Sequence, residues 1–231
     1  MKRTLKSLLR LLALFVITLS LVSALGASVV LAEDQDALPA LTAEWWQYVL
    51  SIPASNHPLL DSTGQYCRVK QIGSAFFLVG SWVGDVTREC RVPANTPILI
   101  PLIVGECSDI EEEPFRGETA EERQDCAQNI IDYIDQDTLV ATVDGEDVEF
   151  HSVLSPDFKF TMPPGNNILG LKGQRIGYSS SGGFWLYVES LTAGAHEIHV
   201  EGACIQDDDD PQNPYSGFSQ NVIYNLRIIV D

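Results

Sequence analysis

"TLVATVDGEDVEF", residues 138–150, sets two strand-like runs on either side of Asp144 and Gly145. Glycine accepts the positive φ that a two-residue hairpin turn needs, so the stretch predicts two antiparallel strands joined at that dipeptide. Further along, "DFKFTM" (157–162), "GGFWLYVESL" (182–191), "AHEIHVEG" (195–202) and "NVIYNLRIIV" (221–230) alternate apolar and polar residues, the last most clearly. That period of two places one set of side chains on a buried face and the other toward solvent. On the N-terminal side, "SAFFLVGSW" (74–82) and "TPILIPLIVG" (96–105) are apolar runs of strand length. Pro97 and Pro101 restrict the second run to a position where a missing N–H is tolerated, at an edge or a bulge. Roughly seven to nine strands predict a mainly β fold, a single antiparallel β-sandwich of jelly-roll type.

Two segments depart from that period. "LTAEWWQYVLSIP" (41–53) carries Trp45, Trp46, Val49 and Leu50 at helical spacings, with Thr42 as its N-cap and Pro53 beyond its end. "GETAEERQDCAQNIIDYID" (117–135) has Thr119 as N-cap, acids in its first turn, and Cys126, Ile130 and Tyr133 or Ile134 on one face. It predicts a helical insertion near 118–134 between strands. "GYSSSGG" (177–183) approaches the nucleophile elbow G-x-S-x-G, but Ser181 stands where the second glycine belongs, so it reads as a flexible turn.

The first ten residues, "MKRTLKSLLR", are basic, and an uncharged apolar run follows to Ala32. This is the order of parts in a signal peptide, with small residues at Val30 and Ala32 placing cleavage before Glu33 and a cut after Ala27 as the second choice. An uncleaved anchor is the competing reading, because such a run is also long enough to span a bilayer. Either way residues 33–231 form one exported domain. Without the leader, ten Lys and Arg face thirty-two Asp and Glu, a charge of 10 − 32 = −22. Such a surface repels nucleic acid and anionic lipid. Nucleic acid is therefore excluded as a partner, membrane contact is confined to an uncleaved leader, and a glycan or another envelope component is expected instead.

The five cysteines all lie beyond the leader, where an oxidising compartment permits disulfides. Spacing favours Cys67 with Cys90 and Cys107 with Cys126, each closing a loop of about twenty residues, and leaves Cys204 free.

Candidate chemistry is sparse. In "AHEIHVEG" the strand period puts His196 on the face of Ile198 and His199 on the other, so the pair straddles the sheet and does not chelate. His57 and His151 are isolated. Two acidic runs supply hard oxygen donors of the kind Ca²⁺ uses: "GECSDIEEE" with Glu106 and Asp109, and "DDDD" with Asp207, Asp208, Asp209 and Asp210. Neither has EF-hand spacing, and calcium is the only cofactor suggested. Trp82, after Gly80 and Ser81 at a strand's end, is the tryptophan expected at the surface, where it would stack on a ligand.

The blocks "EWWQYVLSIP", "QIGSAFFLVGSW", "RECRVPANTPILIPLIVGEC", "VDGEDV", "SPDFKF", "AGAHEIHVEG" and "VIYNLRIIV" together resemble an uncharacterised family of exported bacterial single-domain proteins. The resemblance implies one exported domain and transfers no activity. It singles out Glu106 beside Cys107 at the end of an apolar strand, and Gly194 and His196 in a late hairpin. Cys204 departs from that pattern. The expected function is an exported binding module, with a secreted hydrolase whose carboxylates gather only in the fold as the alternative.

Overall fold

A computed structural model describes residues 37–173, 175–206 and 214–230. The leader and Asp207, Asp208, Asp209 and Asp210 lie outside the described residues. Ten strands and two α-helices are described, with two short 3-10 turns after the first helix, in the order α1 (Leu38–Leu50), β1 (Phe76–Phe77), β2 (Val86–Pro93), β3 (Ile98–Ser108), α2 (Ala120–Asp132), β4 (Ile134–Val143), β5 (Glu146–Asp147), β6 (His151–Leu154), β7 (Phe158–Thr161), β8 (Ile176–Val188), β9 (Gly194–Cys204) and β10 (Ser219–Ile229). They form two sheets. The first runs β1-β3-β8-β6, with β7 also paired to β8, and the second runs β2-β10-β9-β4-β5.

The expectation of a purely antiparallel, jelly-roll sandwich is corrected. β1 pairs with β3 in parallel, and β2 pairs with β10 in parallel along its whole length. Residue alternation fixes which face a side chain takes but not the direction of the neighbouring strand. Strand β2 was also hidden from a reading of apolar periodicity. Its inward row is Val86, Arg88, Cys90 and Val92, and a charged residue interrupts it.

The hairpin forms as read, with Asp144 at φ 53° and Gly145 at φ 81° between β4 and β5. Pro101 lies not at an edge but at a bulge, where the register of β3 on β8 shifts between Pro101 and Ile103. Helix α2 starts where Thr119 predicted. The Thr119 hydroxyl accepts from the Glu122 N–H and the Glu122 carboxylate accepts from the Thr119 N–H, a reciprocal capping box. Helix α1 begins earlier than Thr42. Pro39 sits in its first turn, and Thr42 is buried within it, donating its hydroxyl to the Pro39 carbonyl at 2.8 Å. A proline lacking an N–H is suited to that position.

The two faces of the first sheet are buried differently. One carries Ile100, Ile103, Phe184 and Leu186 against Ile198, Val200, Tyr224 and Leu226 of the second sheet. The other carries Leu99 and Trp185 under α1, where Trp45 meets Trp185 edge to face at 5.2 Å. "GYSSSGG" is therefore not a turn but part of β8. Ser180 and Gly182 face α2, and a Cβ on Gly182 would lie 2.0 Å from the Ala127 carbonyl oxygen. Small residues here let a helix approach the strand closely. Arg123 of α2 clamps Asp157 with two bonds of 2.7 and 3.0 Å and secures the helix to the β6–β7 connection.

Both expected disulfides form, Cys67 to Cys90 and Cys107 to Cys126, as an oxidising environment permits. Cys204 is free and buried, its pKa pushed up to about 11 by burial. Such a thiol is a poor nucleophile. No described helix is long and apolar enough to cross a membrane.

His57 connects α1 to the segment after it. It is 1% exposed, its Nε2 donates to the Val49 carbonyl at 3.0 Å, and its Nδ1 accepts from the Leu59 N–H at 3.2 Å. That arrangement needs the neutral ring, and burial lowers its pKa to about 4, partly opposed by the bond to Val49. The stability this neutral ring contributes is complete above the unfolded value of 6.5 and is lost as pH falls toward 4. Urea titrations at pH 7.5 and 4.5 should therefore show the parent losing about 2.5 kcal/mol through this group. A His57→Gln protein should lose correspondingly less between the same two pH values, and an equal loss would exclude His57 as the cause.

Candidate ligand-binding site

Two places combine residues from distant parts of the chain. The first is a shallow groove of about 300 Å³, its open mouth included. Its floor is Trp45 and Trp46 of α1 with Pro101 and Val104 of β3, and its rim is Trp82 and Phe218. The bulge at Pro101 is where β10 ties in. Gln220 donates to the Pro101 and Leu102 carbonyls and accepts from the Ser81 N–H at 2.8 Å, which holds the segment ending in Trp82 beside the start of β10. Gly80 passes so close that a Cβ would lie 2.2 Å from the Gln220 Oε1. Trp82 N–H donates to the Leu59 carbonyl at 3.0 Å.

With its backbone fixed, Trp82 is 44% exposed and Phe218 is 37% exposed. Trp82 lies at the surface as expected, and the other three tryptophans do not share its exposure. Trp45 donates its indole N–H to the Leu78 carbonyl at 2.7 Å, whereas the buried indole N–H groups of Trp46 and Trp185 have no acceptor among the described residues. A concave, aromatic surface with few polar groups is the usual form of a small-ligand site. No carboxylate lines it among the described residues.

The second place centres on Glu106, which the bulge in β3 turns to the same face as Val104. Glu106 is 5% exposed and accepts a short bond from the Ser179 hydroxyl through Oε2. Glu111, on the loop after β3, accepts from the Ser108 hydroxyl at 2.8 Å. Burial raises the proton affinity of Glu106 well above the ordinary carboxylate value, and Glu111 raises it further by its charge and by a hydrogen bond between the two carboxyls, as does the Asp109 charge, while Ser179 opposes them. Burial raises that of Glu111 as well. Asp109 is half-buried and turned to a different task, accepting from the Tyr178 N–H at 2.9 Å.

Sequence reasoning named Trp82, Glu106 and Asp109, with Trp46 as a lesser stacking candidate and Glu111 within the acidic run, but missed Phe218, Gln220 and the serines. Phe218 follows a turn-rich loop, and nothing local to it signals a partner near residue 82. His196 and His199 lie on opposite faces of β9 as read. His196 Nδ1 lies 2.7 Å from Asp144 Oδ2, and His199 Nε2 lies 3.1 Å from Asn221 Oδ1. Among the described residues no group of three or more His, Cys, Asp or Glu side chains is placed to hold a metal.

The chain matches no protein-family profile and no curated protein. Among solved structures, the crystal structure of the cysteine protease inhibitor EhICP2 from Entamoeba histolytica is similar at 12% identity, over 66% of this chain and 96% of that one. The TM-score is 0.20, and a superposition that loose carries no argument about fold or function.

Proposed function

We propose that this chain is an exported binding module of the cell envelope or exterior, and that it holds a glycan in the groove between Trp82 and Phe218. The observation that carries the reading is an exposed indole fixed at the rim of an aromatic-floored concavity. A flat aromatic face stacks on the apolar face of a sugar ring, and the unpaired Trp46 N–H is a donor for a hydroxyl that reaches the floor. The shallow form of the groove and the absence of a lining carboxylate among the described residues support a binding module over the hydrolase alternative, since glycoside hydrolysis needs a carboxyl pair flanking the bond. The acidic composition and the two disulfides are in keeping with export. Its resemblance to exported bacterial single-domain proteins is part of this proposal and supports the same location.

A glycan array followed by calorimetry tests it. Trp82→Ala should weaken binding of any array hit by about five- to tenfold, consistent with loss of a stacking platform worth about 1–1.5 kcal/mol. Its melting temperature should stay close to the parent's, because the side chain is half in solvent. A protein that binds no glycan, or binds equally well without Trp82, would overturn the assignment.

A further inference from the structure

Oxygen donors from three segments converge on the face of the first sheet that α1 covers, beyond the end of the apolar patch. Glu106 and Ser108 come from β3, Ser179 and Ser181 from β8, and Glu111 from the loop after β3. Ser179 occupies Glu106 Oε2, and Ser108 occupies Glu111 Oε2. Two atoms are left over. Among the described residues neither buried Glu106 Oε1 nor buried Ser181 Oγ is given a donor, and Glu106 meets the Glu111 carboxyl in a hydrogen bond that exists only while the two share a proton. Ser181 is 1% exposed, and the register of β3 on β8 sets it directly across from Glu106 on the same face. Paired residues on adjacent strands hold their Cβ atoms about 5 Å apart, so the two side chains are neighbours on that face. Buried polar atoms are normally satisfied, and two orphans side by side point to something that satisfies both.

We propose that this cluster is a calcium site, liganded by Glu106 Oε1, Ser181 Oγ and the Glu111 carboxylate. The donors are all oxygen, which suits a hard cation and disfavours zinc or copper. Mg²⁺ retains several waters in strict octahedral geometry, whereas Ca²⁺ accepts irregular protein oxygens at 2.3–2.6 Å and fits an enclosed site better. Calcium supplies the positive charge that two adjacent buried carboxylates lack, and it gives the Ser181 oxygen a partner that no described residue provides. The site stands apart from the glycan reading, since no residue of the groove is among its ligands.

The test uses the purified protein stripped with a chelator. Calorimetric titration with CaCl₂ at pH 7.5 should give one ion per chain. Thermal melting should rise by several degrees in CaCl₂ and much less in NaCl at equal ionic strength, because a ligand specific to the native state stabilises by mass action whereas screening does not distinguish the salts. Glu106→Gln and Ser181→Ala should each weaken binding by at least about tenfold. Ser181→Ala removes one hydroxyl that bonds nothing, so its stripped melting point should match the parent's, and it carries the test should Glu106→Gln fail to fold. Equal shifts in the two salts would overturn the proposal, as would calcium binding that both variants retain, which would place the ion elsewhere.

Discussion

An Arg88→Met protein should be less stable than the parent by about 3 kcal/mol, because buried acceptors lose a charged donor and each acceptor left unsatisfied costs about 1–3 kcal/mol. Arg88 is 1% exposed on the inward face of β2. Its Nε donates to the Asp61 carbonyl at 2.7 Å, and its Nη1 donates to the Val79 and Gly80 carbonyls and the Tyr224 hydroxyl at 2.8–3.0 Å. Its guanidinium also lies 5.5 Å from the centre of the Tyr224 ring. Methionine fills similar volume but leaves four buried acceptors without that donor. Urea unfolding measures the loss, and Arg91→Met, on the exposed face of the same strand, is the control expected to lie within about 0.5 kcal/mol. A loss below about 1 kcal/mol in Arg88→Met would mean that water or a neighbour replaces the guanidinium, and the network would then be dispensable.

Gly182→Ala should be nearly as damaging. The added methyl would meet the Ala127 carbonyl oxygen at 2.0 Å, and that oxygen belongs to helix backbone, which cannot swing aside as a flexible side chain would. Overpacking commonly costs about 1–3 kcal/mol, and a clash with backbone belongs at the upper end. For a chain of this size about 3 kcal/mol corresponds to a fall in Tm of roughly 10 °C. Gly145→Asn is the contrast. Gly145 has open space around it at φ 81°, which asparagine tolerates, so a change below about 1 kcal/mol is expected there. If Gly182→Ala melts like the parent, the close seating of α2 on β8 is not what selects glycine at that position.

Features encoded over a few residues were legible in the sequence. The turn at Asp144 and Gly145, the Thr119 cap, the division of β9 into two faces and the bulge imposed by Pro101 each follow from local chemistry. Features that depend on a distant partner were not. Parallel pairing of β2 with β10 cannot be read from either strand alone, and Arg88 concealed β2 by standing in its apolar row. "GYSSSGG" illustrates the same limit. Glycine and serine are turn residues when only their neighbours are considered, but opposite a helix on one face and two carboxyl groups on the other they are what a tightly covered strand requires. Trp82 and Glu106 were singled out because an aromatic at a strand's end and an acid closing an apolar strand are local anomalies. Their neighbours Phe218 and Ser181 are ordinary residues until the fold assembles them.

The pairing of β10 with β2 also constrains the order in which the fold can form. Among the described strands β2 has no neighbour except β10, and Val86 must find Val222 across most of the chain. A polypeptide delivered from its N-terminus, whether by a ribosome or through a translocation channel, can bring together α1, β3 and β8 while β2 still lacks its neighbour. The second sheet then closes only when the last strand arrives. Contacts so far apart in sequence are slow to form, which prolongs the interval in which the chain remains open enough to be threaded.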